Sequence, residues 1–185
     1  VVPRAQVTGV VKNGHVRHQK GDGGKLQRLQ VKVEAMGSSQ DTGAFLDGGS
    51  THSFVTRRLV ERLGIQPQKK STIIMSTMNG DRRLSSCVVA GIWIGTKEGG
   101  QVMELPPLYV VEEIPVGEDD FVTQQEVDKW PHLTSRGVNV GQDATSEVGL
   151  LIGANAAAVM EPMEVVHAAD EGPYAVITRF GWTLG

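Results

Sequence analysis

One cysteine in 185 residues, Cys87, excludes an internal disulfide framework and any zinc site built from cysteines. A lone thiol of this kind is expected as a small buried hydrophobe, and its isolation fits a reducing, intracellular (cytoplasmic) setting. Aromatic residues are scarce at 5%, against 23 glycines, so large core anchors are few and turns are many. That balance favours short strands joined by tight loops over a helical bundle. Positive charge is not in excess: the net charge is -3 and the pI near 6.0, which gives no basic field for a phosphate backbone, so no nucleic acid partner is expected. No run approaches the ~20 apolar residues of a membrane span, and the opening VVPRAQVTGV lacks the charged-then-apolar layout of a signal peptide, so no membrane partner is expected either. The start without Met reads as the edge of a segment cut from a longer polypeptide.

What is present, 39% hydrophobic and 21% charged residues, suits one globular domain. Residues 1–25 read as a flexible leader or linker ending in Lys20-Gly21-Asp22-Gly23-Gly24-Lys25. This cluster is not a phosphate loop, because Leu26 stands where Ser or Thr is required. The domain is expected over 26–185. Leu29, Val31 and Val33 alternate with Gln30, Lys32 and Glu34, the period of a half-buried strand. A turn is expected at Gly37-Ser38-Ser39-Gln40, then a short strand Ala44-Phe45-Leu46 running into Asp47-Gly48-Gly49-Ser50. Val55, Leu59 and Leu63 recur at helical spacing with Gly64 placed to end the helix.

Residues 71–95 read as a second hairpin. Its arms are Ile73-Ile74-Met75 and Cys87-Val88-Val89, and its tip, Met78-Asn79-Gly80-Asp81, has the form of a mobile flap. Leu108 to Val111 follows as a strand after Pro106-Pro107. Residues 115–146 turn polar and acidic and read as an insertion, with one helical turn around Gln124 to Trp130 and no evident chemistry. Val148 to Gly153 is an apolar strand ending in Gly, Asn155 to Met160 is helix-compatible, and Tyr174 to Leu184 is β-like.

Chemistry concentrates where an apolar strand meets Asp47-Gly48-Gly49-Ser50. An aspartate at a strand end, followed by two glycines, sits on a tight loop where backbone amides can approach its carboxylate. Two such carboxylates brought together cannot both ionise and share one proton, so one serves as base towards water and the other as acid towards a carbonyl. This needs neither metal nor cofactor. Only one such motif is visible and two carboxylates are required, so a twofold homodimer is expected. Asp41-Thr42-Gly43 is a competing motif, but it precedes the apolar run, and Asp41 reads as a turn residue of the preceding hairpin.

The run Ala44 to Val55 with its following helix to Leu63-Gly64, then Leu150-Leu151-Ile152-Gly153, then Tyr174 to Trp182, resembles the retropepsin-like aspartic proteases, and among them the protease region of BEL/Pao-type retrotransposon polyproteins. The resemblance spans most of 28–184. It implies a mainly β, closed-barrel acid protease protomer and a homodimeric endopeptidase. Asp47 would be its catalytic group, Gly48, Gly49 and Ser50 its loop, Met78 to Asp81 its flap, and Ile152-Gly153 its supporting strand. The substrate would be an extended peptide of the parent polyprotein, paired strand-like with the flap. Two positions depart from the family pattern. Gly48 replaces a Ser or Thr whose hydroxyl helps lock the two loops across the dimer axis, and Ala154-Asn155 stands where many members carry Arg. Those departures keep a second reading open, a degenerate or repurposed module of the same fold that dimerises or binds peptide without turnover. His15 and His18 read as solvated rather than ligating, His52 as a possible cleft residue, and Ser50, which lacks a Gly-x-Ser-x-Gly frame, as a loop hydrogen-bonder.

Overall fold

The computed structural model describes residues 4–6, 24–66, 69–77, 80–141, 147–169 and 171–185. The chain is mainly β. Leu29, Val31 and Val33 are at most 1% exposed, so the alternation seen in the sequence does mark the inward face of β2 (Arg28–Ala35). β2 pairs antiparallel with β3 (Ser38–Leu46) through a two-residue turn, Met36-Gly37, with φ of 52° and 75°. Two consecutive positive φ values match the twist of the flanking strands. The turn therefore comes earlier than expected, Ser38 to Gln40 stay extended, and Asp41 is a mid-strand residue opposite Lys32 rather than a turn residue.

Part of the segment read as a leader is in the sheet. Arg4–Gln6 forms β1, parallel to β5 (Lys69–Thr77). The Gly21–Gly23 turn, His15 and His18 lie outside the described residues. β5 and β6 (Gly80–Val89) make the second hairpin in continuous register from Lys69↔Val88 to Thr77↔Gly80. Short strands β4 (Phe54–Thr56), β7 (Trp93–Gly95), β8 (Val102–Glu104), β9 (Leu108–Val111) and β10 (Val148–Ile152) complete a ten-stranded sheet. Its order is β1-β5-β6-β9-β4-β10-β3-β2-β7-β8. Among the described residues no ladder joins β8 back to β1.

The helix expected after the Asp47 loop is α1 (Arg57–Arg62). The Thr56 hydroxyl caps its start by accepting from the Leu59 N–H, and Gly64 at φ +70° ends it. Leu59 and Val60 face the core with Leu29, Val31, Leu150 and Ile152, each fully buried side chain stabilising by roughly 1.5–3 kcal/mol.

The described part of the polar segment, residues 115–141, carries buried apolar side chains. Phe121 packs edge-on against Phe45 and carries the Arg28 guanidinium over its ring. α2 (Gln124–Val127) opens with a reciprocal cap: Thr123 Oγ1 accepts from the Glu126 N–H while the Glu126 carboxylate accepts from the Thr123 N–H. That backbone donor, foremost, holds the Glu126 carboxyl below its usual range. α3 (Pro131–Thr134) follows, and Val127, Leu133 and Val138 form a small core with Val166, Ala175 and Leu184. The latter three come from a separate sheet, β11 (Glu164–Val166), β12 (Ala175–Thr178) and β13 (Gly181–Leu184). Among the described residues no helix is long and apolar enough to cross a membrane.

Candidate active site

The site is set by how β10 enters the sheet. β10 lies between β3, to which it is parallel, and β4, to which it is antiparallel. β3 and β4 are joined only by residues 47–53, so that connection must arc over the C-terminal end of β10. Asp47 stands at the start of the arc and Gly153 passes beneath it. The Asp47 N–H donates to the Ile152 carbonyl at 2.9 Å, and the Ala154 N–H donates to the Ser50 carbonyl at 2.7 Å, which fastens the arc at both ends. Gly153 has no alternative here, because a Cβ would overlap the His52 carbonyl and lie 2.7 Å from the Ser50 carbonyl oxygen.

Within the arc, the Gly49 N–H donates to Asp47 Oδ1 at 3.0 Å and the Ser50 N–H to the Asp47 carbonyl at 3.0 Å, a tight turn closed around the carboxylate. Gly48 and Gly49 are exposed at its crest. Asp47 itself is 8% exposed, and its Oδ2, although buried, has no hydrogen-bond partner among the described residues. A buried carboxylate oxygen left in that condition is costly, by about 1–3 kcal/mol and more when charged.

Three hydroxyls stiffen the arc. Ser50, fully buried, donates to the His52 carbonyl at 2.7 Å, which is the loop role expected of it. Ser53, also fully buried, accepts from the Gly153 N–H at 2.9 Å and donates to Asn155 Oδ1 at 2.7 Å. Thr51 Oγ1 lies 2.9 Å from His52 Nδ1, and the His52 ring packs edge-on against Tyr109 at 5.5 Å.

The competing motif is placed quite differently. Asp41 is exposed on the face of β3, and the Thr42 hydroxyl is used inside the sheet, accepting from the Gly149 N–H at 2.9 Å. The middle of the second hairpin belongs to the same apolar cluster as the strands flanking Asp47: Ile73 packs with Phe45, Phe54, Tyr109 and Leu151, and Met75 lies against that group. At its tip Gly80 (φ +106°) and Asp81 are exposed, while Met78 and Asn79 lie outside the described residues. Among the described residues no three His, Cys, Asp or Glu side chains gather as a metal-binding group. His132 is engaged with the Pro173 carbonyl at 2.9 Å, a structural contact.

Sequence reasoning singled out Asp47, Gly48, Gly49, Ser50, Ile152 and Gly153, and the fold brings these together. It passed over Ser53 and Asn155. The available signal was a serine just before the apolar Phe54-Val55 pair and an amide two residues past Gly153.

Searches against curated proteins and against solved structures gave no match. A family model described as aspartyl protease matches residues 29–128, from β2 through the Asp47 arc and the hairpin to the end of α2. That is more than half of the 185 residues, and the chain belongs to the aspartyl protease family.

Proposed function

We propose that this chain is a homodimeric aspartic endopeptidase of a BEL/Pao-type retroelement polyprotein, each copy supplying Asp47. The observation that carries the reading is Asp47 at the start of an arc fastened to β10 at both ends, its Oδ1 held by the Gly49 N–H. A second Asp47 brought beside the first across a twofold axis, sharing one proton with it, makes the pair an acid and a base at once. The ionised member takes a proton from water, whose oxygen bonds to the scissile carbonyl carbon. The protonated member donates to the carbonyl oxygen; collapse of the adduct then breaks the C–N bond as the proton taken from water passes to the leaving amine, while the other carboxylate takes back a proton from an adduct hydroxyl as the carbonyl re-forms. The β5–β6 hairpin offers the substrate an extended partner, and the ten-stranded sheet is taken as the wall of a retropepsin-type barrel. Sedimentation across concentration, with peptide hydrolysis followed on the same samples, tests the reading: activity should track the dimer fraction, and turnover by a strictly monomeric species would sink it.

One observation favours the rival reading of a peptide-binding or dimerisation module without turnover. Gly48 offers no hydroxyl to bind the two arcs across the axis. The position has room, since a Cβ at Gly48 meets nothing within 4 Å. Gly48→Ser is therefore expected to tighten the dimer. One hydrogen bond per copy, at about 0.5–1.5 kcal/mol each, amounts to roughly a 5- to 150-fold lower dimer Kd. An unchanged Kd, measured by sedimentation, would mean that the arcs do not meet at residue 48.

A further inference from the structure

The geometry points to Ser53 and Asn155 as positioning residues that hold the Asp47 arc in its working register through Gly153. The arc crosses β10 at one place, and there the main chain must be kept both close and fixed. Gly153 permits the closeness. Fixing it falls to a buried hydroxyl, because the Gly153 N–H lies at the end of β10 and donates to Ser53 Oγ at 2.9 Å. Ser53 then uses its only proton on Asn155 Oδ1 at 2.7 Å, so the hydroxyl's orientation is set by the amide. With Asn155 in place, the oxygen's lone pairs face Gly153. Without it, the proton is free to turn towards the N–H it should accept from.

Two further bonds link this clamp to the carboxylate. The Ser53 carbonyl accepts from the Tyr109 N–H at 3.2 Å, which ties the end of the arc to β9, and the Ile152 carbonyl, in the residue before Gly153, accepts from the Asp47 N–H at 2.9 Å. A displacement of Gly153 is thereby passed directly to Asp47. Ala154, where the resembling family carries Arg, contributes its main-chain N–H to Ser50, so the side-chain part of the fastening rests on the Ser53–Asn155 pair.

The inference deepens the protease reading, and its kinetic arm rests on it. Ser53→Ala and Asn155→Ala should each lower kcat about tenfold, the worth of one lost hydrogen bond, while KM stays within about twofold. Asn155→Asp, which keeps the accepting oxygen, should restore kcat to near the parent value. Amide hydrogen exchange on the same proteins gives a readout that needs no turnover. Exchange at Gly153 and Asp47 should quicken about tenfold in both alanine variants while Val31, in the core of β2, holds its rate. Unchanged protection at Gly153, or an equal acceleration at Val31, would show the pair to be ordinary structure and overturn the assignment, as would an Asn155→Asp variant no better than Asn155→Ala in exchange. A parent chain without peptidase activity defeats the protease reading alone, and the exchange rates still decide the clamp.

Discussion

Asp47→Asn should abolish peptide hydrolysis, by at least about 1,000-fold in kcat, while leaving the fold and the dimer intact. The amide retains an oxygen to accept from the Gly49 N–H, as Oδ1 does now at 3.0 Å, so the turn around residue 47 loses nothing it uses. It cannot take a proton from water or pass one to a carbonyl, and in a symmetric dimer the one substitution removes both the acid and the base. Thermal stability should hold, because the turn around residue 47 keeps the bond it uses. Hydrolysis of an extended peptide, inhibition by a statyl-type transition-state mimic and Tm together check this. Full activity in the Asn variant would remove Asp47 from the chemistry, and Asp41→Asn, on an exposed strand face, is the matching control expected to change neither rate nor Tm.

The proposed pairing calls for a bell-shaped dependence of rate on pH. Turnover needs one carboxyl with its proton and one without. Raising pH empties both and lowering it fills both, so activity should fall on each side of an optimum. A flat or single-sided profile would mean that the two carboxyls do not act as a pair.

How far the site could be read from the sequence depended on whether its signals were local. The apolar run into Asp47-Gly48-Gly49 and the alternation of Leu29, Val31 and Val33 depend on neighbours one or two residues apart, and both were legible. The turn at Met36-Gly37 was misplaced because Ser38 to Gln40, turn-forming by composition, are held extended by pairing with Val33 to Ala35. Tertiary pairing overrode local preference there, and it also moved Asp41 into a strand. Within 115–146 the polar composition hid Phe121, which packs on Phe45 far back in the chain, and Val127 and Leu133, which pack with Val166, Ala175 and Leu184 far ahead in it, although Thr123-Gln124-Gln125-Glu126 spells a capping box. Ser53 and Asn155 meet across 102 residues, and no window on the chain contains both.

Gly153→Ala should be strongly damaging for a single added methyl. At Gly153 a Cβ would run into the His52 carbonyl and sit 2.7 Å from the Ser50 oxygen, and both obstacles are backbone, which cannot swing aside as the end of a side chain can. Relief requires lifting the arc off β10, which breaks the 2.7 Å bond from Ala154 to Ser50 and the 2.9 Å bond from Gly153 to Ser53. A cost of about 3 kcal/mol or more is expected, a fall in Tm of roughly 6–12 °C for a chain of this size, together with loss of activity as Asp47 is carried out of register. Gly48→Ala is the informative contrast, because it adds the same methyl to the same arc where nothing lies within 4 Å and should leave Tm unchanged or slightly raised. If the two alanine variants melted together, the arc would not be pressed against β10 as the structure has it. The fastening that holds Asp47 in place, and with it the argument for a rigid paired carboxylate, would then have to be given up.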